Sequence, residues 1–319
     1  MSKVRSGEIL FVKSVKDGIP NRDPLNDSDA RRLFGEEDGR ISLSDVSIKR
    51  DVRDYVLARF PDGGDNKRNF IFVRQERTPE GKLLGRASLA KALEKRAGKK
   101  ADSMERFLCE VAFDVRVFGA VFSVRSQNFQ LTGPIQFGWA HSLHPVETIY
   151  AQGTVVMPSK DAADAGGQDE GRTQGTIWTS YIVPFAVFAM PGVINATIAE
   201  ATKMDQADVE LLLEALWRGT QNRQARGRGI QHPLFLMHVE YNDPFFRIGY
   251  LEEGLRLLPE REQWLSELRP TSLQEIKLDV ESLADRLTSY SNKIHRIRYW
   301  INPALSIVGS LPGDKQELW

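Results

Sequence analysis

Two groups of cations carry the clearest chemical signal in the chain: Lys49, Arg50 and Arg53 in one stretch, and Arg223, Arg226 and Arg228 in another. At about 100° per residue, a helix over residues 43–60 puts Ile48, Val52, Tyr55, Val56 and Arg59 on one arc. Lys49, Arg50 and Arg53 fall on the adjacent arc. The like charges of Lys49 and Arg53 at i,i+4 repel by about 0.2–0.5 kcal/mol, and an anion lying across them removes that cost. Read instead as plain solvated surface, the same face has Arg50 pairing with Asp54. The second group lies in Asn222-Arg223-Gln224-Ala225-Arg226-Gly227-Arg228-Gly229-Ile230. Its arginines have no acid nearby in sequence, and its glycines let the backbone approach a ligand closely. A flexible exposed loop is the alternative. The chemistry on offer is anion binding.

Catalytic signals are weak. His141 and His144 have a spacing that suits a metal, but no cysteine or carboxylate pair accompanies them at a motif distance, so neither a metal nor another cofactor is expected. The patterns G-x-S-x-G and G-x-x-x-x-G-K-[ST] do not occur. Cys109 sits at the edge of an apolar stretch. Asp23 and Asp27, in the first loop, are the acids to consider for catalysis, and both read more readily as turn formers.

The elements that must position these residues follow from apolar spacing and turn signals. A first strand is expected over 8–15, then a turn-rich loop over 19–40 leading into the basic helix. Ser44 and Asp45 stand where an N-cap belongs, and Pro61, Gly63 and Gly64 stop that helix. A strand over 69–74, a turn at Pro79-Glu80-Gly81 and a basic, largely helical stretch over 82–106 come next. Alternation predicts a long strand over 111–124, in which Arg116 to Phe122 echoes the aromatic strand of an RNA-recognition module. Gly119 within it marks a bulge or the close approach of another backbone. Two apolar pieces flanking a Gly-rich run describe a protruding hairpin over 146–178. A helix starts at Asp205 and ends at Gly219, and a strand over 234–241 follows the arginine loop. Further on, strands are expected over 275–280 and 297–301, with Leu283, Leu287, Tyr290 and Ile294 as a helical stripe between them.

The whole chain limits the possibilities. With 319 residues and 41% hydrophobic content it can bury a real core. Forty-three basic residues balance 43 acidic ones, so any basic site must be local. A single cysteine excludes an internal disulfide and fits a reducing compartment. Residues 1–7 are short and polar with no long apolar run behind them, so no secretory signal and no membrane association are expected, and a cytoplasmic location is.

Three motifs together resemble a known family. They are Asp45-Val46-Ser47-Ile48-Lys49-Arg50-Asp51-Val52-Arg53-Asp54-Tyr55; Phe113 to Val121 followed by Leu131-Thr132-Gly133-Pro134-Ile135-Gln136-Phe137; and Ser142-Leu143-His144-Pro145-Val146-Glu147. In this order they resemble the backbone subunit of type I CRISPR Cascade, the Cas-seven family, closest to its subtype I-B (Csh-two) branch, from the first strand to about Tyr250. The family's first loop commonly reads N-P-N-G-D-P, and here Arg22 stands where the glycine stood.

The resemblance implies an α+β fold: a single RNA-binding domain over 1–319 with a modified ferredoxin-like, RNA-recognition-type palm, a finger-like insertion over 61–109 and a thumb β-hairpin over 146–178. It implies a non-catalytic subunit whose partners are CRISPR RNA, target DNA through the guide, further copies of itself and other Cascade subunits. Lys49, Arg50, Arg53, Gly133, Gln136, His144, Asn222, Arg223, Arg226 and Arg228 would line the RNA path. Acids such as Asp51, Glu252, Glu253 and Glu267 could then pair with a neighbouring copy's cations. The competing class is a metal-dependent endoribonuclease, because related type III subunits cut RNA with a loop aspartate; Asp23 would be that residue.

Overall fold

The chain begins with β1 (Gly7–Lys16), whose first nine residues are buried. Ile9, Phe11 and Val15 face one core while Leu10 and Val12 face another, as side-chain alternation along a strand requires. A computed structural model describes residues 3–26, 29–124, 127–154 and 177–319. After the first loop come β2 (Ser42–Leu43) and the basic helix α1 (Asp45–Arg59). Ser44 holds the N-cap position, but its hydroxyl donates to Asn21 Oδ1 at 2.9 Å instead of capping. Ser47, Ile48, Asp51, Val52, Tyr55 and Val56 are its buried residues, so the buried face contains a carboxylate.

The described residues of 61–134 form a packed insertion with α2 (Arg86–Ala97), α3 (Met104–Val111), α4 (Phe113–Phe118) and an antiparallel pair of β3 (Gly119–Val124) and β4 (Gln127–Thr132). Phe70, Phe72, Leu93, Leu108, Val115 and Phe122 belong to a core of its own.

Two expectations fail here. The strand over 69–74 does not form: Phe70 makes one isolated bridge with Ala112, and the N–H groups of Phe72 and Val73 donate to the Asp114 carboxylate, each at 2.9 Å. The strand over 111–124 is a helix as far as Phe118, which removes the echo of an RNA-recognition strand. Its alternation misled because every residue of α4 is buried, with Asp114 and Arg116 satisfied by polar partners inside. Gly119 then turns the chain at φ +79°, where a Cβ would lie 2.1 Å from the Leu131 carbonyl oxygen, the close backbone approach expected of it.

The sheet resumes with β5 (Ile135–Phe137) and β6 (Ala140–Ser142). An antiparallel pair of β7 (Ile149–Thr154) and β8 (Ile177–Ile182) follows, where a hairpin over 146–178 was expected; β8 ends past 178, and the Gly-rich run lies outside the described residues. Next come β9 (Phe185–Ile194), α5 (Ala196–Thr202), α6 (Gln206–Asn222) and β10 (Ile230–Tyr241). An Asp205–Asp208 capping box starts α6. Gly219 does not end it. A Cβ there would sit 2.5 Å from the Asp51 carbonyl oxygen, so this glycine is the point where α6 crosses α1.

The remaining elements are β11 (Arg256–Leu258), α7 (Arg261–Trp264), β12 (Lys277–Asp279), α8 (Glu281–Ser289), β13 (Ile294–Ile301), β14 (Ser306–Val308) and β15 (Asp314–Lys315). Tyr290 and Ile294 fall beyond α8, and Ile294 opens β13.

The result is an α+β architecture. Its main sheet runs β15-β13-β10-β1-β9-β6-β2, with β5 also on β9. Pairing among β10, β1, β9 and β6 is antiparallel throughout. Side chains of α1 and α6 pack with Ile9 and Phe11 on one face of the sheet, and the C-terminal elements pack with Leu10 and Val12 on the other. Among the described residues, no helix is long and apolar enough to cross a membrane.

Candidate nucleic-acid interface

Four separated segments meet in one open cleft of about 560 Å³. The first loop brings Arg22, α1 brings Arg50 and Arg53, the insertion brings Arg74, and the loop after α6 brings Arg223, Arg226 and Arg228. Among the described residues no aspartate or glutamate lines it.

Two acids lie buried beneath it, and two more sit partly exposed beside it. Asp51, fully buried, accepts from Lys13 at 3.2 Å, Arg223 at 2.9 Å and Arg228 at 2.7 Å. Asp114, also fully buried, accepts from Arg53 Nε at 2.9 Å in addition to its two backbone N–H groups. Asp54 accepts from Arg50 at 2.6 Å, and Glu76 from Arg74 at 2.7 Å. Contrary to the sequence reading, the arginine loop is not without acids, because tertiary folding supplies Asp51. Nor do Lys49 and Arg53 need an anion between them, since Lys49 pairs with Asp45 at 2.8 Å. Nor can Asp51 serve a neighbouring copy, being enclosed.

The buried carboxylate is outnumbered by its cations. Burial pushes the Lys13 ammonium down to about 8; Asp51 opposes that fall and Arg228 adds to it. Nε of Arg228 and Nη1 of Arg74 are buried without a hydrogen-bond partner. Guanidinium groups pinned from below by carboxylates, with their charge in excess, present a positive trough to solvent.

Five expected site residues lie off the cleft lining. Lys49 also donates to Gln136 Oε1 at 3.0 Å and lies over the Phe118 ring, 5.6 Å from its centroid. Gln136 in turn donates to the carbonyls of Gly133 and Phe118, at 3.1 and 3.3 Å. Gly133 is buried, and a Cβ on it would meet Phe118 backbone at 2.1 Å, so it serves close packing. His144 is 3% exposed, stacks on Trp264 at 3.5 Å and accepts from the Val187 N–H, its own Nδ1 facing the Pro145 carbonyl. Burial holds its imidazole down to about 4, so it is neutral and enclosed. Asn222 ends α6 in an exposed position beside the loop.

Asp23 behaves as a turn former: its Oδ1 accepts from the Leu25 N–H at 3.0 Å. Asp27 lies outside the described residues. His141 pairs with the Ser42 hydroxyl at 2.9 Å. Sequence reasoning missed Arg22 and Arg74 as cleft residues, and Asp51 and Asp114 as its floor. A charged residue on the apolar arc of α1 was the available signal for Asp51.

An α+β protein with an open, guanidinium-lined groove is of the class suited to an extended anion. The match to known proteins is more specific. The family described as CRISPR-associated protein Cas7 matches residues 5–281, and the chain belongs to that family. It is 27% identical to a CRISPR-associated protein Cas7 of Haloferax volcanii, over 92% of this chain and 86% of that protein. Its fold resembles a chain of a solved structure titled "CRISPR RNA-guided surveillance complex, pre-nicking", with a TM-score of 0.56 at 16% identity, covering 96% of this chain and 97% of the other. A second structure, titled "CRISPR RNA-guided surveillance complex", gives 0.52 at 15% identity over 96% and 95%.

Proposed function

We propose that this chain is a non-catalytic, cytoplasmic backbone subunit of a type I, I-B-like Cascade complex. It holds CRISPR RNA in the arginine cleft, lines up head to tail with further copies, presents the guide for pairing with target DNA and contacts other Cascade subunits. One observation carries the reading: Arg22, Arg50, Arg53, Arg74 and Arg226, remote in sequence, line one trough in which, among the described residues, no acid takes part, while Asp51 and Asp114 are buried. Arginine donates in a fixed fork that fits phosphate oxygens, and phosphate contacts leave sequence reading to base pairing.

The strand order β10-β1-β9-β6, with α1 and α6 on one face, supports a ferredoxin-like palm. The separate core of the insertion supports a finger over 61–109, although that core extends to Phe122. The β7–β8 pair supports a thumb over 146–178.

The test is a double substitution at two exposed cations, Arg50→Ala with Arg226→Ala. Binding of a single-stranded RNA of CRISPR-repeat sequence is expected to weaken. The slope of log affinity against log salt should fall by about 1.4, from roughly 0.7 per phosphate contact on a single strand. Unchanged affinity and slope would place the RNA elsewhere. Complementary RNA incubated with the assembled complex and magnesium is expected to remain intact; cleavage at regular intervals, abolished by Asp23→Ala, would restore the nuclease reading.

A further inference from the structure

Five cleft arginines are held by carboxylates: Arg50, Arg53, Arg74, Arg223 and Arg228. Among the described residues, Arg22 and Arg226 have no such partner. Both turn instead to one strand of the β7–β8 hairpin. Arg226 lies over the indole of Trp178, 5.5 Å from the ring centroid, and Arg22 Nη2 donates to the Ser180 hydroxyl at 3.2 Å. Trp178 and Ser180 are two residues apart on β8 and therefore share a face. On the paired strand Gly153 stands opposite Trp178, and a Cβ there would lie 2.5 Å from indole atoms. The ring thus occupies the space that any other residue at 153 would fill.

We propose that Trp178 is a positioning residue for RNA binding, holding Arg226 at the rim of the cleft, with Gly153 as the ring's seat. This rests on the cleft being where RNA lies. The physical reason is a difference between two ways of holding a guanidinium. A carboxylate neutralises the charge and occupies N–H donors, whereas an aromatic face fixes the group's plane and leaves its charge and all five donors for a phosphate. It also removes rotamer freedom from an exposed arginine before the RNA arrives, so less is lost on binding. The hairpin therefore acts on the RNA path through Arg226.

A double-mutant cycle tests this, with affinity for a labelled single-stranded RNA of CRISPR-repeat sequence measured for the intact chain. Trp178→Ala is expected to weaken binding about three- to tenfold, the range of a cation–π contact, and to cost nothing further in an Arg226→Ala background. Trp178→Phe should restore most of the affinity. Gly153→Ala, which crowds the indole without touching Arg226, should weaken binding in the same direction, with thermal melts confirming that each variant is folded. An equal loss from Trp178→Ala in both backgrounds would mean that the indole meets the RNA directly and would overturn the positioning role, as would no loss at all. If Arg226→Ala alone leaves affinity unchanged, the cleft reading itself falls, and this inference with it.

Discussion

Asp51→Asn is expected to cost about 3–5 kcal/mol of stability, the penalty for leaving buried charge without its counter-ion. Asp51 is fully enclosed and is the shared acceptor of Lys13, Arg223 and Arg228. Asparagine keeps one acceptor oxygen but not the charge, so three cations then face one another in a low-dielectric site. Urea denaturation measures the loss as a lower midpoint with an unchanged slope. The same variant separates two accounts of the cleft. On net charge alone, removing a carboxylate below an anion site should tighten RNA binding. If the carboxylate instead aims Arg223 and Arg228, binding should weaken. Tighter binding by folded protein would show that orientation contributes little.

Arg116→Met is expected to cost a similar amount, about 3–5 kcal/mol, and to act at the joint between the insertion and α6. Arg116 is completely buried, donating to Asp208 at 3.0 and 2.7 Å and to the Arg68 carbonyl at 2.9 Å. Its Nη1 also reaches the carbonyls of Cys109 and Glu110 at the end of α3. A methionine fills much of the volume but leaves those carbonyls and a carboxylate short of donors. Adding Asp208→Leu should recover only part of the loss, because Asp208 also accepts from the Asp205 N–H in the helix cap and from Arg68. Hydrogen exchange should rise first in α3 and α4. Full recovery in the double variant would reduce the site to a simple ion pair.

The stretches that sequence reasoning located well are those whose burial is one-sided or whose ends carry strong local signals. The buried arc of α1 through Ile48, Val52, Tyr55 and Val56 and the capping acids of α6 fall where their spacing put them, and β7 pairs with β8 where a hairpin was expected, although β8 runs to Ile182, past 178. α4 was misread because it is buried all round, and a helix with no exposed face has no 3.6-residue pattern to show. Gly219 was misread because a helix stop and a helix crossing both call for a missing side chain, and only the position of Asp51 distinguishes them. His144 carried a motif resemblance, yet its ring packs on Trp264, 120 positions further on in the numbering.

By itself, the sequence determined the kind of chemistry and the family resemblance, because cation type, glycine placement and motif order are local properties of the chain. The tertiary structure alone decided which cations share a trough and which acids lie beneath them. Asp51 was an ordinary helix acid until β1 brought Lys13 below it and the loop after α6 brought Arg223 and Arg228 above. Charge interactions depend on distance and on exclusion of water, and both are set by contacts between residues far apart in the chain.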